Sequence, residues 1–244
     1  MYNIIKWIVR FVVPISVFFK VEGFLRYFHY LLYKGNKYQC NICNKKLKSF
    51  QPFGTEQICP SCGSLGRNRR LFSLLKGKWI NEKINVLDFS PSRCIYRNMK
   101  RRQELKYFAS DLSGKFISDY QFDIRAIATS NEFFDLIICY HILEHVIEDI
   151  EAMQELYRVL KLGGYCIVQT PFKEGNIYEN YTVVTEDDRR KHFGQEDHVR
   201  IYSVEGLKNR LCDVGFSVEI LTFNELSENY FGFDETETVL VCKK

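Results

Sequence analysis

Residues 133–164 read FFDLIICYHILEHVIEDIEAMQELYRVLKLGG. The opening FFDLIICY (133–140) is apolar at alternate and intervening positions alike, which marks a strand buried on both faces at the centre of a parallel sheet. From Asp149 the period changes: Ile150, Met153, Tyr157 and Leu160 recur at helical spacing, and LKLGG (160–164) predicts a glycine C-cap after a helix over 149–160. A buried strand followed by an amphipathic helix is the repeating unit of an α/β sheet. Outward from it the alternation continues. INVLDFS (84–90), KYFASD (106–111) and a segment ending near Asp123 predict three earlier strands. YCIVQT (165–170), closed by Pro171, then FSVEILTF (216–223) and ETVLVCK (237–243) predict three later ones, with a helix near 203–214. The expected fold is α/β: a Rossmann-like, mostly parallel seven-stranded sheet with helices on both faces, over residues 83–244.

Ligands of such sheets lie beyond the carboxyl ends of the strands. Asp88 closes the first strand and Asp111 the second, 23 residues on, a separation that suits a carboxylate reaching ribose hydroxyls. Asp123 follows the third segment. One aspartate at a strand end is commonly a cap, whereas three in register point to a ligand. VLDFS, SDLSG, FDLIICYHILEHV and ELYRVLKLGG together resemble the class I S-adenosylmethionine (SAM)-dependent methyltransferases, type 11-like, over residues 84–171. The resemblance implies that Asp88, Phe89, Ser90 and Ser92 border the cofactor and that Asp111, beside Leu112, holds its ribose. It also implies that Asp123 and Ile124 flank the adenine and that Tyr140 and His141 close over the methionine side. There is one departure. The family's first loop is D-x-G-x-G-x-G, but DFSPSRC (88–94) contains no glycine, and Pro91 removes an N–H and fixes φ.

His141-Ile-Leu-Glu144-His145 spells H-x-x-E-H, a zinc-protease pattern, but it directly follows a central strand, which is the wrong setting for that chemistry. Residues 172–202 form an insertion without clear periodicity, at the end of the sheet where an acceptor would be selected. Its His192, Glu196, Asp197 and His198, with His141, are candidates for a general base that deprotonates a hydroxyl or nitrogen during methyl transfer; charges pairing within a lid are the alternative.

Upstream, Cys40, Cys43, Cys59 and Cys62 form two C-x2-C pairs 15 residues apart, the spacing of a closed four-thiolate structural zinc site, in a module over 36–66. Buried-looking cysteines elsewhere argue for a reducing, cytoplasmic setting. Ser64–Ile80 reads as a helix within a linking segment 67–82. Arg67, Arg69 and Arg70 on its early turns suit either a solvated face or phosphate. Charge is segregated: residues 36–105 carry 15 Lys/Arg against 4 acids, and residues 106–244 carry 14 against 25. The basic block is suited to RNA or to self-neutralisation by the acidic half. Residues 1–35 are aromatic and basic. Their longest uncharged stretch, Phe11–Phe19, is too short to span a bilayer, which leaves an interfacial helix bent at Pro14, peripheral to an anionic membrane, or a packing element.

Three functions compete on these residues. The favoured one is a SAM-dependent methyltransferase with structural zinc, acting on a hydroxyl or nitrogen of a sugar, glycan or other small-molecule acceptor. The second is a zinc-bearing RNA methyltransferase that uses the 36–105 block. The third is a non-catalytic zinc interaction module with a degenerate SAM fold, and its support is the glycine-free loop. An NAD-dependent enzyme would need the glycine-rich turn this chain lacks.

Overall fold

The computed structural model describes residues 15–80, 83–225 and 229–244. These divide into two compact units: one runs up to Leu75 and takes in Glu225–Glu235, and the other comprises Lys76–Asn224 with Thr236–Lys244.

The first unit opens with α1 (Ile15–Leu31); the bend expected at Pro14 lies outside the described residues. Among the described side chains of α1, the buried ones include a charged pair beside Tyr30. Glu22 and Arg26 form a buried ion pair at 2.9 Å, while Val21, Phe24, Tyr27, Phe28 and Leu31 are exposed. The Arg26 guanidinium lies so close to the second cysteine turn that a Cβ on Gly63 would stand 2.7 Å from it. β1 (Lys34–Gln39) pairs antiparallel with β2 (Lys46–Leu47), and β3 (Gln51–Phe53) with β4 (Glu56–Ile58). Then comes α2 (Gly66–Lys78), whose buried residues include Arg69 and Arg70 beside Leu71, Phe72 and Leu75. Two of the three arginines expected on a solvated or phosphate-gripping face are therefore internal. Arg69 donates to the carbonyls of Ser64, Gln57 and Gly232 and stacks 4.2 Å over Phe50. Arg70 pairs with Glu225 and lies 3.9 Å over Phe233. Short hairpins leave many carbonyls without ladder partners, and a planar fork of donors can satisfy several at once.

The second unit contains β5 (Ile84–Phe89), α3 (Arg93–Met99), β6 (Leu105–Ser110), β7 (Phe134–Tyr140), α4 (Asp149–Val159) and β8 (Leu160–Gln169). It continues with β9 (Tyr178–Glu179), α5 (Glu186–Phe193), β10 (Arg200–Ile201), α6 (Val204–Val214), β11 (Ser217–Asn224) and β12 (Thr236–Lys243). Its main sheet runs β11-β12-β8-β7-β5-β6, parallel from β6 through β8 and antiparallel at β12 and β11. Leu87, Ile137, Cys139 and Val168 of the inner strands pack with Met153 and Leu156 of α4 and with Leu207 and Leu211 of α6 in one core.

Six strands, not seven, make up the main sheet among the described residues. The segment ending at Asp123 contributes only isolated bridges, Ser110 with Tyr120 and Asp123 with Ala126. Side chains take the amides that a ladder would use: Phe116 N–H donates to Asp111 and Phe122 N–H to Ser110 Oγ. The glycine C-cap at LKLGG also differs from expectation. Helix α4 ends at Val159, Leu160 is already extended, and β8 begins there. Gly163, at φ +76°, donates its N–H to the Lys244 carbonyl and so belongs to an irregularity in the strand. The buried face of α4 is Ala152, Met153, Leu156 and Val159; Ile150 is exposed.

Candidate active site and metal centre

The carboxyl ends of β5, β6 and β7 carry Asp88, Ser110 beside Asp111, and Tyr140. Asp88 is buried in β5 and accepts a 2.7 Å hydrogen bond from Tyr107; burial pushes its carboxyl up to about 7 despite that bond. Just beyond it Ser90 adopts φ +47°, the left-handed region where glycine is normally required. It stays there because its N–H donates to the Ser110 carbonyl at 2.7 Å and its hydroxyl to Asp111 at 2.8 Å. Asp111 is buried and also accepts from the Ser113 hydroxyl and the Phe116 N–H, so a ribose would displace donors already in place. Ser92 lies 3.3 Å from the Cys94 sulfur, Phe89 and Ile124 belong to the core, and Leu112 is exposed. Asp123 chelates Arg125, which reaches on to Glu148. That pairing, led by the Arg125 hydrogen bonds, holds Asp123 below the usual carboxylate range.

After β7, Tyr140 and His141 stand at the strand end, and His141 adopts φ +56° with its N–H on the Gln169 carbonyl at 2.8 Å. A 3-10 turn (Leu143–His145) then buries Glu144, whose Oε1 lies 3.3 Å from His141 Nδ1. Burial would push this carboxyl up, but His141 and His145 hold it below its ordinary value. From the 172–202 segment, His198 packs edge-on against His145 with ring centroids 4.7 Å apart, and His145 Nδ1 lies 3.1 Å from the Asp197 carbonyl. Burial, then the neighbouring His145, lowers the His198 pKa. His192 is placed elsewhere: exposed, with Nδ1 2.7 Å from the Tyr178 hydroxyl.

What holds this turn is a set of residues not singled out from the sequence. Arg200, fully buried, donates to the carbonyls of Leu143, Val146 and Ile147 and pairs with Glu179. Tyr202 and Arg210 converge on Asp149 at the start of α4, and Arg210 also holds Glu179. The available signal was the spacing of Arg200 and Tyr202 in an extended stretch, which turns both inward.

In the first unit the four cysteine sulfurs lie within 4.8 Å of one another, with Cys40 to Cys62 at 3.6 Å and Cys43 to Cys59 at 3.8 Å. A tetrahedron with Zn–S bonds of about 2.3 Å needs sulfurs about 3.8 Å apart, so the set fits that ion. Hydrogen bonds from Cys43, Cys59 and Cys62 hold Cys40 down, and bonding to Cys40 pushes those three up. Four cysteine sulfurs this close together could share a cation, which would hold them as thiolates.

The family described as "Methyltransferase domain" matches residues 65–220. The chain belongs to that family. It is a methyltransferase-domain protein, and the carboxyl ends of its parallel strands are where sheets of this kind bind their ligands. Among curated proteins no sequence match is found. In fold this methyltransferase is similar to the YcgJ protein of Bacillus subtilis, with TM-score 0.51 and 12% identity over 72% of this chain and 99% of that one. It is also similar to a SAM-dependent methyltransferase from Mesorhizobium loti, with TM-score 0.50 and 16% identity over 70% and 96%. A third similar structure is Haemonchus contortus phosphoethanolamine N-methyltransferase 2 in complex with phosphomonomethylethanolamine and S-adenosylhomocysteine, with TM-score 0.51 and 12% identity. This chain covers 53% of that protein's length.

Proposed function

We propose that this methyltransferase carries structural zinc on Cys40, Cys43, Cys59 and Cys62 and methylates a hydroxyl or nitrogen of a sugar or other small molecule. The observation that carries the acceptor side is the closure of the 172–202 segment over the end of β7, where His198 meets His145 beside the buried Glu144. A titratable cluster in that position supplies a base for the acceptor proton, while positioning against the sulfonium supplies much of the rate. SAM would sit along Ser90, Asp111, Asp123 and Tyr140. Ser90, in the left-handed conformation, takes the place of a loop glycine.

RNA is the weaker acceptor. Arg69 and Arg70, at the heart of the basic block, are buried among their own unit's carbonyls, rings and Glu225, and the strand-end site is flanked by Glu144 and Asp197. Exposed aromatics on α1, with its ion pair turned inward, support an interfacial role for that helix. Among the described residues no helix is long and apolar enough to cross a membrane.

The test is purified full-length protein incubated with methyl-labelled SAM and separated pools of glycan, small-molecule, lipid and RNA extract. Label in the glycan or small-molecule pool is the expected result, and label confined to RNA would reverse the acceptor assignment. SAM binding without transfer to any pool would favour a non-catalytic role.

A further inference from the structure

Glu144 is only 1% exposed, and neither carboxylate oxygen has a hydrogen-bond partner. His141 Nδ1 approaches Oε1 to 3.3 Å but without the alignment of a hydrogen bond. A buried carboxylate is costly and calls for positive charge at hand, which a cation shared with its histidine neighbours would supply. Its surroundings provide a place for one. One carboxylate oxygen of Glu144 and one ring nitrogen each of His145 and His198 lie within 4.8 Å of one another. Ligands about 2.1 Å from a shared cation stand about 3.4 Å apart, so the set closes on an ion with a contraction of at most about 1.4 Å.

The imidazoles are also prepared for such a role. His145 Nδ1 faces the Asp197 carbonyl at 3.1 Å; a carbonyl only accepts, so in the neutral ring Nδ1 carries the hydrogen and Nε2 keeps its lone pair. The His198 ring hydrogen-bonds to the Phe193 main chain in the same manner. Metal-bound histidines characteristically give their second nitrogen to a carbonyl or carboxylate, which fixes tautomer and ring orientation. Arg200 clamps the three carbonyls that follow and flank Glu144, so the turn is rigid.

We propose that Glu144, His145 and His198 form a second metal site, distinct from the four cysteines, for a divalent transition cation such as Zn2+, Mn2+ or Co2+. Two nitrogens and one oxygen from the protein leave coordination positions open, the pattern of a catalytic rather than a structural centre. It lies at the carboxyl end of β7, the central strand, on the acceptor side. Resting on the methyltransferase reading above, this narrows the acceptor to a hydroxyl whose oxygen takes an open position. The O–H bond breaks, its proton leaves to solvent or a nearby base, and the oxygen lone pair forms the new O–C bond. The S–C bond of the sulfonium breaks and its electron pair stays on sulfur, giving a methyl ether and a neutral thioether. His141, beside Oε1, is a positioning residue in this arrangement.

Full-length protein, dialysed in turn against micromolar Zn2+ alone and against Co2+ or Mn2+ after zinc saturation, tests the site by metal analysis. The expected result is one equivalent beyond the cysteine zinc for at least one of these ions, lost in both Glu144→Gln and His198→Ala while the first zinc is retained. No second equivalent of any ion in the parent protein overturns the proposal, and needs no variant to fold. So does a second equivalent retained in both variants. Calorimetric SAM binding on the same samples separates the two readings: a second metal without SAM binding counts against the methyltransferase assignment alone, and SAM binding without the second metal counts against the metal site alone.

Discussion

At the residue scale, Asp88 has the most measurable consequence. Its folded pKa is raised from 3.8 to about 7, so between those values the native state holds a proton that the unfolded chain has lost. That stabilisation is full below about pH 4 and disappears as pH rises through 7. Asp88→Asn keeps an acceptor for Tyr107 and removes the titration. Urea unfolding of parent and variant should show the variant gaining about 2–3 kcal/mol relative to the parent between pH 5 and pH 8. A constant difference across that range would mean that Asp88 does not titrate as described. Asp111 bears on the cofactor. Asp111→Ala should weaken SAM binding by one to two orders of magnitude, about 1.5–3 kcal/mol for a charge-assisted hydrogen bond. Ser113→Ala removes one donor to Asp111 and should change the affinity only a few-fold. Calorimetry that finds Asp111→Ala equal to the parent would place the ribose elsewhere.

Among the elements, the cysteine hairpins depend most on something outside the chain's own packing. β2, β3 and β4 are two or three residues long, too little ladder to hold without help. Arg69 supplies part of that help, and zinc is expected to supply the rest. Cys59→Ser should lose the metal and unfold the first unit while the sheet of the second persists, because ligand-set energy of this kind is folding energy. Metal analysis with limited proteolysis reads both effects, and a variant that keeps one zinc and resists cleavage would show that Cys59 is not a ligand. Elements of the 172–202 segment carry local signals in the sequence. Thr185 caps α5 through the Asp188 N–H, and Gly194 ends it at φ +85°, a start and stop signal of the usual kind around only eight residues. The seventh strand failed for the converse reason: Asp111 and Ser110 captured the amides that a strand would have offered its neighbour.

For the molecule as a whole, the exposed aromatics of α1 and the basic excess of the amino-terminal part make a membrane surface testable. Full-length protein should sediment with anionic vesicles and release with salt, since each basic residue near the surface adds about 1 kcal/mol of screened attraction. A variant replacing Phe24 and Phe28 by serine should bind at least tenfold more weakly; equal binding would make the helix a packing element. The sequence alone determined the sheet's central strands, because FFDLIICY and YCIVQT are apolar at both alternating sets of positions and can be buried only with covers on both faces. It also determined the cysteine quartet, since two C-x2-C turns constrain their own geometry locally. Tertiary structure alone decided the rest of the site. Glu144 and His198 are 54 positions apart, and nothing in the local pattern of either announces the other. They meet because Arg200, drawn inward to satisfy the carbonyls of the turn after β7, pins the strand-end turn and the returning segment to each other.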